Sequence, residues 1–498
     1  MARLSGPKRR EKQKKIRAKN SNASDIRSIK ITSNKDKGKK VDVSTSTVRL
    51  QYYESILQDA LQVSVAFVDS GNSVRDGLKK KTVVEGLPIV PNGKENVLLK
   101  FFDNSDEVIE LTMYLNDYDV LSTDSTKELV TLQLCSKEFL TNEDVRINER
   151  FDGPISEHVK LIITDEKYLN SDKDIDIEDT QGDTNFTGRN KKCFFTLNKL
   201  AQKSVPEGAP KGNSAGFFFF ETSEGFKFKS IDSFFGQEAK KAFIFNQTPD
   251  MGGESIPEGY DGKALTYETT NKVNAQKKDA MGAYNTRIKT FDSYRMKYTE
   301  SFIDSQGKEI KMGGKELPKS NEEFDKDNKY TRTVYKVKDT GSLNSGSGTG
   351  KSQEQLKKSG DENLEIEKVV NQSIMRYNQL FAAMTTITIP GDFTLHAGDA
   401  IWVDAVSKQE EVCADDVDKK SGGLYVIADL CHYLSQKQTF TKLNLIRDST
   451  GRDASKRKRA ISSSTSKPAK SETAPDVISS FAKRRNARRG GEFSKVVK

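Results

Sequence analysis

Residues 386–406 read TITIPGDFTLHAGDAIWVDAV. Two Gly-Asp steps, Gly391-Asp392 and Gly398-Asp399, stand seven residues apart with His396 between them. A histidine flanked by carboxylates is acid/base chemistry. Gly-Asp is also turn chemistry, because glycine tolerates backbone angles other residues resist and aspartate bonds back onto its own turn. The flanks favour the second reading. Ile387 and Ile389 alternate with threonines, and Ile401, Val403 and Ala405 alternate with Trp402 and Asp404, the period of two that marks strands. The stretch therefore predicts strand, turn, crossing segment, turn, strand, with Phe393 and Leu395 directed to the core: a barrel corner.

The same alternation recurs outward from this point. Val63, Val65 and Phe67 form one strand face, and Val130, Leu132 and Leu134 another, with short strands at 97–101 and 111–115. Residues 217–220 are a buried strand candidate, and Ser223-Glu224-Gly225 turns it into a return strand carrying Phe226 and Phe228. Leu424, Val426, Ala428 and Leu430 read as one face of a late strand, with a partner through Phe440, Leu443 and Leu445. Three helices interrupt the pattern. Residues 154–169 begin with proline and place Ile155, Val159, Ile162 and Ile163 near one face. Residues 194–203 place Leu197, Leu200 and Ala201 likewise, and residues 364–384 carry apolar side chains at three- and four-residue steps.

The 498 residues are 34% hydrophobic and 31% charged, so part of the chain is expected to be heavily solvated. Charge is distributed unevenly. Residues 1–40 carry a net +12 and residues 451–498 a net +10, which leaves −13 on 41–450 out of the formal +9. This is an acidic body with two basic ends, expected to be disordered. Cys135, Cys193, Cys413 and Cys431 form no metal or disulfide spacing, so free thiols in a reducing compartment are expected. No apolar run approaches the ~20 residues needed to span a bilayer, and the basic start lacks an apolar core, so a soluble chain without a secretory signal is expected.

The motifs that hint at chemistry are weak. GSGTGKS at 346–352 has three residues, not four, between Gly346 and Gly350, with Ser345 where a phosphate-binding loop needs glycine. His158, His396 and His432 are the only histidines. Cys431 and His432 are neighbours on a strand and point to opposite faces. His158 is expected to be partly exposed on its helix. The acidic run SDKDIDIEDTQGD (171–183) lacks calcium-loop spacing, and Ile175 and Ile177 alternate through it as a solvated strand. No nucleophile elbow accompanies any histidine. The expectation is no catalytic, cofactor-binding or metal residue. For the basic ends two readings stand together: binding of phosphates or an acidic protein surface, and solubilising ends without aromatic stacking groups.

The order of segments is what carries a resemblance. YYESILQDALQVSVAFVDSG (52–71) and GLPIVPNGKENVLLKF (86–101) are followed by LQLCSKEFLTNEDVRINERFDGPISEHVKLII (132–163). FFTLNKLAQKSVP (194–206) then leads into GFFFFETSEGFKFKSID (216–232), and IPGDFTLHAGDAIWVDAV (389–406) comes late. Over roughly residues 48–448 the chain resembles the baseplate hub of contractile-tailed, T-even-like phages, related to late-control D proteins and the first part of type VI spike proteins.

The resemblance implies a mainly β (α+β) chain with two tube-like β-barrel domains interleaved in sequence. The first is built from 48–130 with 195–246 and the second from 131–194 with 385–448. An insertion spans 247–384, with a flexible loop at 339–362 and a helix at 364–384, and disordered basic tails occupy 1–47 and 449–498. It also implies a non-enzymatic homotrimer in the virion's tail baseplate, assembled in the host cytoplasm. Its partners are the tail tube, the central spike that carries a tail lysozyme, and other baseplate proteins. DNA passes its channel without specific binding. The alternatives are a tail-associated cell-wall hydrolase and a nucleic-acid-binding protein acting through the tails.

Overall fold

The residues that the computed structural model describes run from Asp25 to Arg447, excepting 246–258, 304–329, 338–365, 406–421 and several shorter stretches. GSGTGKS, the loop 339–362 and the tail 449–498 lie outside them. The elements used below are, in chain order, β1 (Asp25–Thr32), β2 (Thr47–Ser55), β3 (Gln62–Asp69), β4 (Asn96–Phe102), β5 (Val108–Thr123), β6 (Glu128–Cys135), α1 (Lys137–Asp144) and α2 (Ile155–Thr164). Next come β7 (Ile175–Ile177), α3 (Cys193–Lys203), β8 (Phe217–Thr222), β9 (Gly225–Ser230), α4 (Ile231–Gly236), β10 (Ala242–Phe245), β11 (Gly262–Lys263) and β12 (Thr266–Asn271). The last are β13 (Thr286–Asp292), β14 (Lys297–Ile303), β15 (Arg332–Val337), α5 (Ile366–Leu380), β16 (Ala383–Pro390), β17 (Ala400–Ala405), β18 (Gly423–Ser435) and β19 (Thr439–Arg447).

The chain is mainly β, and period-two alternation explains the first unit. Six antiparallel strands run in the order β1-β4-β5-β6-β3-β2. Ile29 faces Leu99, Leu99 faces Leu111, Leu132 faces Val65 and Val65 faces Leu50 across successive ladders. Ile29, Ile31, Val97, Leu99, Phe101, Leu132, Val65 and Leu50 are all completely buried in one core. Each such side chain contributes roughly 1.5–3 kcal/mol relative to exposure. The sheet curls so that its ends approach: the Val43 N–H donates to Ile29 O at 3.0 Å, and the chain then turns directly into β2.

The expected disordered tail 1–47 is corrected by β1, which pairs with β4 from Asp25 to Thr32. The apolar signal there is only Ile26, Ile29 and Ile31 among charges, and a bulge between Ile26 and Ser28 breaks the alternation that would mark a strand. The strand is held because β4 otherwise presents an unpaired edge.

The second unit is a ring of pairings that the chain itself closes between β11 and β12. β10 lies parallel to β17 on one side and to β11 on the other. The chain passes from β11 straight into β12, which pairs with β16, and β16 pairs with β19, β19 with β18 and β18 with β17. Ile387, Ile389, Ile401, Val403, Ile427, Leu443 and Leu445 fill the interior. The second half of β18 also pairs with β2, His432 opposite Tyr52, so both units share one continuous sheet.

A bulge between Ile427 and Asp429 corrects the expected single face of β18. The extra residue inverts the alternation, so Leu430 joins Tyr425 and Ile427 in the interior while Val426 and Ala428 point outward into a second core.

The expected division of strands also differs from the observed pairings. β10, placed by expectation with the first unit, is a strand of the second. Beyond β6, residues 136–194 contribute helices and short bridges instead of barrel strands. With the hairpin β8–β9 and the parallel strand β7 they form a separate layer. The hairpin's composition is the reason: every residue of β8 is buried, so both of its faces require cover. α3 covers one face, Phe194 lying 5.9 Å from Phe219, while Phe218 and Phe220 pack with α4 and the outward face of β18. Within the insertion, β13, β14 and β15 form a small sheet. α5 ends at Leu380, earlier than its periodicity predicts, because Met384 already belongs to β16.

Candidate functional site at the junction of sheets and hairpin

β16 and β17 sit on opposite walls of the second unit, separated by β19 and β18 along one path and by β12, β11 and β10 along the other. The residues between them, 391–399, therefore cross its end. Phe393 and Leu395 are buried, as the alternation predicts, and Ala397 is buried in the second core. Both glycines are required for distinct reasons. A Cβ on Gly391 would lie 1.9 Å from Thr439 Cγ2, and Gly398 holds φ +87° with Phe220 and Phe234 closing over it. The crossing also reaches the first unit: the Phe393 N–H donates to Asp103 Oδ2 at 3.1 Å, and its ring meets Phe101 edge-on at 5.4 Å.

His396 lies at the centre of this crossing, 7% exposed. Its Nδ1 is 3.3 Å from Glu54 Oε1 on β2, and its Nε2 is 3.5 Å from Glu224 Oε1 in the hairpin turn. Glu54 accepts three further hydrogen bonds, from Tyr52 Oη at 2.5 Å, the Ser223 N–H at 2.9 Å and the Ala397 N–H at 2.9 Å. Asp399 accepts the His396 N–H at 2.9 Å and Lys240 Nζ at 2.8 Å. Burial alone drives the Glu54 carboxyl upward, but the His396 ring, the Tyr52 hydroxyl and the Ser223 N–H outweigh it and hold it at about 2. Burial likewise opposes charge on His396, and Glu54 and Glu224 overcome it, raising its pKa. The arrangement is an imidazole between two carboxylates that favour its charged form, the three groups drawn from three parts of the fold.

The same residues include a serine, a histidine and a glutamate, and the geometry rules out a relay. Ser223 Oγ, at 3.4 Å, and Glu54 both approach Nδ1. A nucleophilic triad needs the serine and the acid on opposite ring nitrogens. Here the opposite ring nitrogen, Nε2, faces a second carboxylate, Glu224.

The remaining residues singled out in the sequence are dispersed. His158, expected to be partly exposed, is buried at 4%, because the short ribbon carrying Phe151 and Phe186 covers its side of α2. Its Nε2 lies 3.0 Å from Thr184 O. His432 is fully buried between Tyr52 and Phe393, its Nδ1 2.8 Å from Thr441 Oγ1, and burial drives its pKa down to about 4. Cys431 points outward from it, and Cys135, Cys193 and Cys431 are free. Asp392 pairs with Lys241. Among the described residues no histidine, cysteine and carboxylate cluster is grouped to hold a metal ion.

A second buried ion cluster ties the hairpin to α1. Lys173 Nζ lies 2.6 Å from Glu138 and 2.5 Å from Glu221, and Glu221 also accepts the Leu61 N–H at 3.0 Å. Sequence reading missed Glu54 and Glu221, yet a signal existed. Leu50, Tyr52 and Glu54 share one parity on β2, which places a carboxylate at a core-facing position, and such a group needs a buried partner.

The fold is thus of a definite class: two curled units on one fourteen-stranded sheet, locked to a helical and hairpin layer by a buried charge network. No family model and no curated protein matches the sequence. Among solved structures, the chain is similar to the 43 kDa tail protein of prophage MuSo2 from Shewanella oneidensis, with TM-score 0.46 and 9% identity over 84% of this chain and 98% of that one. It is similar to the tail protein from Neisseria meningitidis MC58, with TM-score 0.47 and 8% identity over 84% and 96%. It is also similar to the E. coli c3393 protein, a component of the type VI secretion system, with TM-score 0.39 and 9% identity over 86% and 79%. The neighbours are phage tail and baseplate proteins and type VI secretion components.

Proposed function

We propose that this chain is a structural baseplate hub of a contractile phage tail. Three copies form a ring that joins the hexameric tail tube to the central spike and encloses the DNA channel. The observation that carries the reading is that one chain holds two curled units of strands in a single sheet. Three copies then present six like units, the count a six-fold tube requires, while closed symmetry needs only one kind of contact between copies. The junction network fits this role, since it fixes the units against each other. The acidic body suits a channel that must release DNA, because like charge avoids the multivalent phosphate contacts that make binding strong. The acidic side chains are expected to concentrate on the inner face.

The test is the mass of the full chain in solution, alone and with a candidate spike protein, followed by electron microscopy of the assembly. A three-fold ring that binds the spike is expected. A strictly monomeric chain that binds no spike, or a ring with a basic bore, overturns the reading. Cell-wall hydrolysis by the purified chain would point to the enzymatic alternative instead.

A further inference from the structure

The three histidines stand in different electrical settings. His158 meets Thr184 O, and His432 meets Thr441 Oγ1. Among the described residues, only His396 has a carboxylate at each ring nitrogen, Glu54 at Nδ1 and Glu224 at Nε2. The two contacts are unequal. Glu54 is fully buried and is fixed by Tyr52 Oη and by the N–H groups of Ser223 and Ala397. Glu224 is 55% exposed, and its second oxygen lies 2.7 Å from Lys227 Nζ of the same hairpin. Glu54 therefore cannot leave the ring, whereas Glu224 has another partner and water beside it.

Loss of the ring's charge acts on the two contacts differently. A neutral imidazole keeps one N–H, and its other nitrogen becomes an acceptor. Glu54, held at about 2, stays ionised, so the remaining proton belongs on Nδ1 opposite it. Nε2 then turns a lone pair toward Glu224 Oε1 at 3.5 Å, two acceptors with no proton between them. That contact becomes repulsive, while the contact with Glu54 survives. The other charged groups around the ring do not change this. In the crossing itself, Asp399 is paired with Lys240 and Asp392 with Lys241. The hairpin supplies Glu224, Lys227 and the Ser223 hydroxyl, and β2 supplies Glu54 with the Tyr52 hydroxyl. β18 supplies His432, which burial holds at about 4 and which is neutral wherever His396 titrates.

Both carboxylates favour the charged ring, so its pKa lies above the ordinary 6.5. The Glu224 contact is thus complete below 6.5 and is lost as pH rises through the folded value. The rest of the hairpin is anchored elsewhere. Every residue of β8 is buried, and Gly225 sits so close to Asp174 that a Cβ would lie 2.1 Å from the Asp174 carbonyl oxygen. Ser223 and Glu224 are the part left to respond.

We infer that His396 is a proton-operated latch between the crossing at 391–399 and the hairpin turn: the protonated ring holds Glu224, and the neutral ring releases it while keeping Glu54. The latch is internal to one chain and works whether or not copies assemble. The test uses the full chain with isotope-labelled histidine, whose three Cε1–H signals are followed by NMR between about pH 5 and 9. Amide exchange of residues 221–226, corrected for its intrinsic pH dependence, is followed over the same range. The variants are His396→Gln, which assigns the signal, and Glu224→Gln, an exposed change whose fold circular dichroism checks. One signal is expected to titrate above 6.5, to vanish in His396→Gln and to move down in Glu224→Gln. Protection of 221–226 in the wild type should fall about threefold or more as pH passes that midpoint, and in Glu224→Gln it should show no such step. A wild-type spectrum with no histidine titrating above 6.5 overturns the inference. So does a midpoint indifferent to Glu224→Gln, or protection that stays level across the midpoint.

Discussion

Replacing Glu54 by glutamine tests whether the junction network holds the fold together. The carboxylate accepts Tyr52 Oη and the N–H groups of Ser223 and Ala397, and faces the His396 ring. Glutamine keeps the shape, removes the charge opposite His396, and turns an N–H toward another donor. Breaking a buried ion pair by removing one partner costs roughly 3–5 kcal/mol. An independent figure comes from proton linkage. Glu54 sits at about 2 in the fold against an ordinary 4.5. That gap corresponds to about 3 kcal/mol at ~1.36 kcal/mol per pH unit. A depressed carboxylate contributes fully above its unfolded value, and the contribution is lost as pH falls from about 4.5 through about 2.

The assay is urea unfolding followed by the fluorescence of Trp402, the only tryptophan, which is fully buried in the second unit. At pH 6 the variant is expected to unfold at clearly lower urea, and its stability should change less than that of the wild type between pH 4.5 and 2. The control Glu110→Gln, which removes an exposed pair with Lys100, should cost less than about 1 kcal/mol. A Glu54→Gln variant within that same margin at pH 6, or one with an unchanged acid profile, refutes the reasoning.

Three more expectations follow from the same structure. Gly398→Ala combines a left-handed backbone with Cβ contacts of 3.0 Å to Phe220 and 3.1 Å to Phe234, and is expected to destabilise by roughly 1–3 kcal/mol in the same urea assay, with no loss in an exposed Gly→Ala control at Gly236. His432 is held neutral at about 4, so stability is complete above 6.5 and falls as pH drops toward 4, by about 3 kcal/mol; His432→Gln should flatten that limb of the profile. Removing residues 1–33 deletes β1 and bares the edge of β4, so the product is expected to aggregate in light scattering, whereas removing residues 1–24 leaves every β1–β4 pairing in place and should stay dispersed.

How much of this was legible depended on the length scale of the cause. The crossing at 391–399 could be read because strand period, glycine and aspartate all act locally, and the hairpin at 217–230 for the same reason. The bulges in β1 and β18 were not legible, since an extra residue is favoured by what lies across the ladder. Allotment of strands to units failed similarly: β10 has four residues, and nothing in AFIF says which sheet it joins. The junction was the hardest part, because its partners are Glu54 and His396, 342 residues apart. What the sequence did hold was half of it, a carboxylate at a strand position of core-facing parity.

The seven-residue ladder between β2 and β18 has a mechanical consequence. Its hydrogen bonds lie side by side along the seam, so pulling the two units along the strand axis loads all of them at once instead of opening them one by one. Rotation of one unit against the other must also strain the Glu54–His396 lock, which sits beside the end of the same seam. The angle between neighbouring units is therefore set within each chain before any assembly begins. In the three-copy ring proposed above, three of the six angles between units would be fixed within the chains, and only the three between copies would be set when they meet.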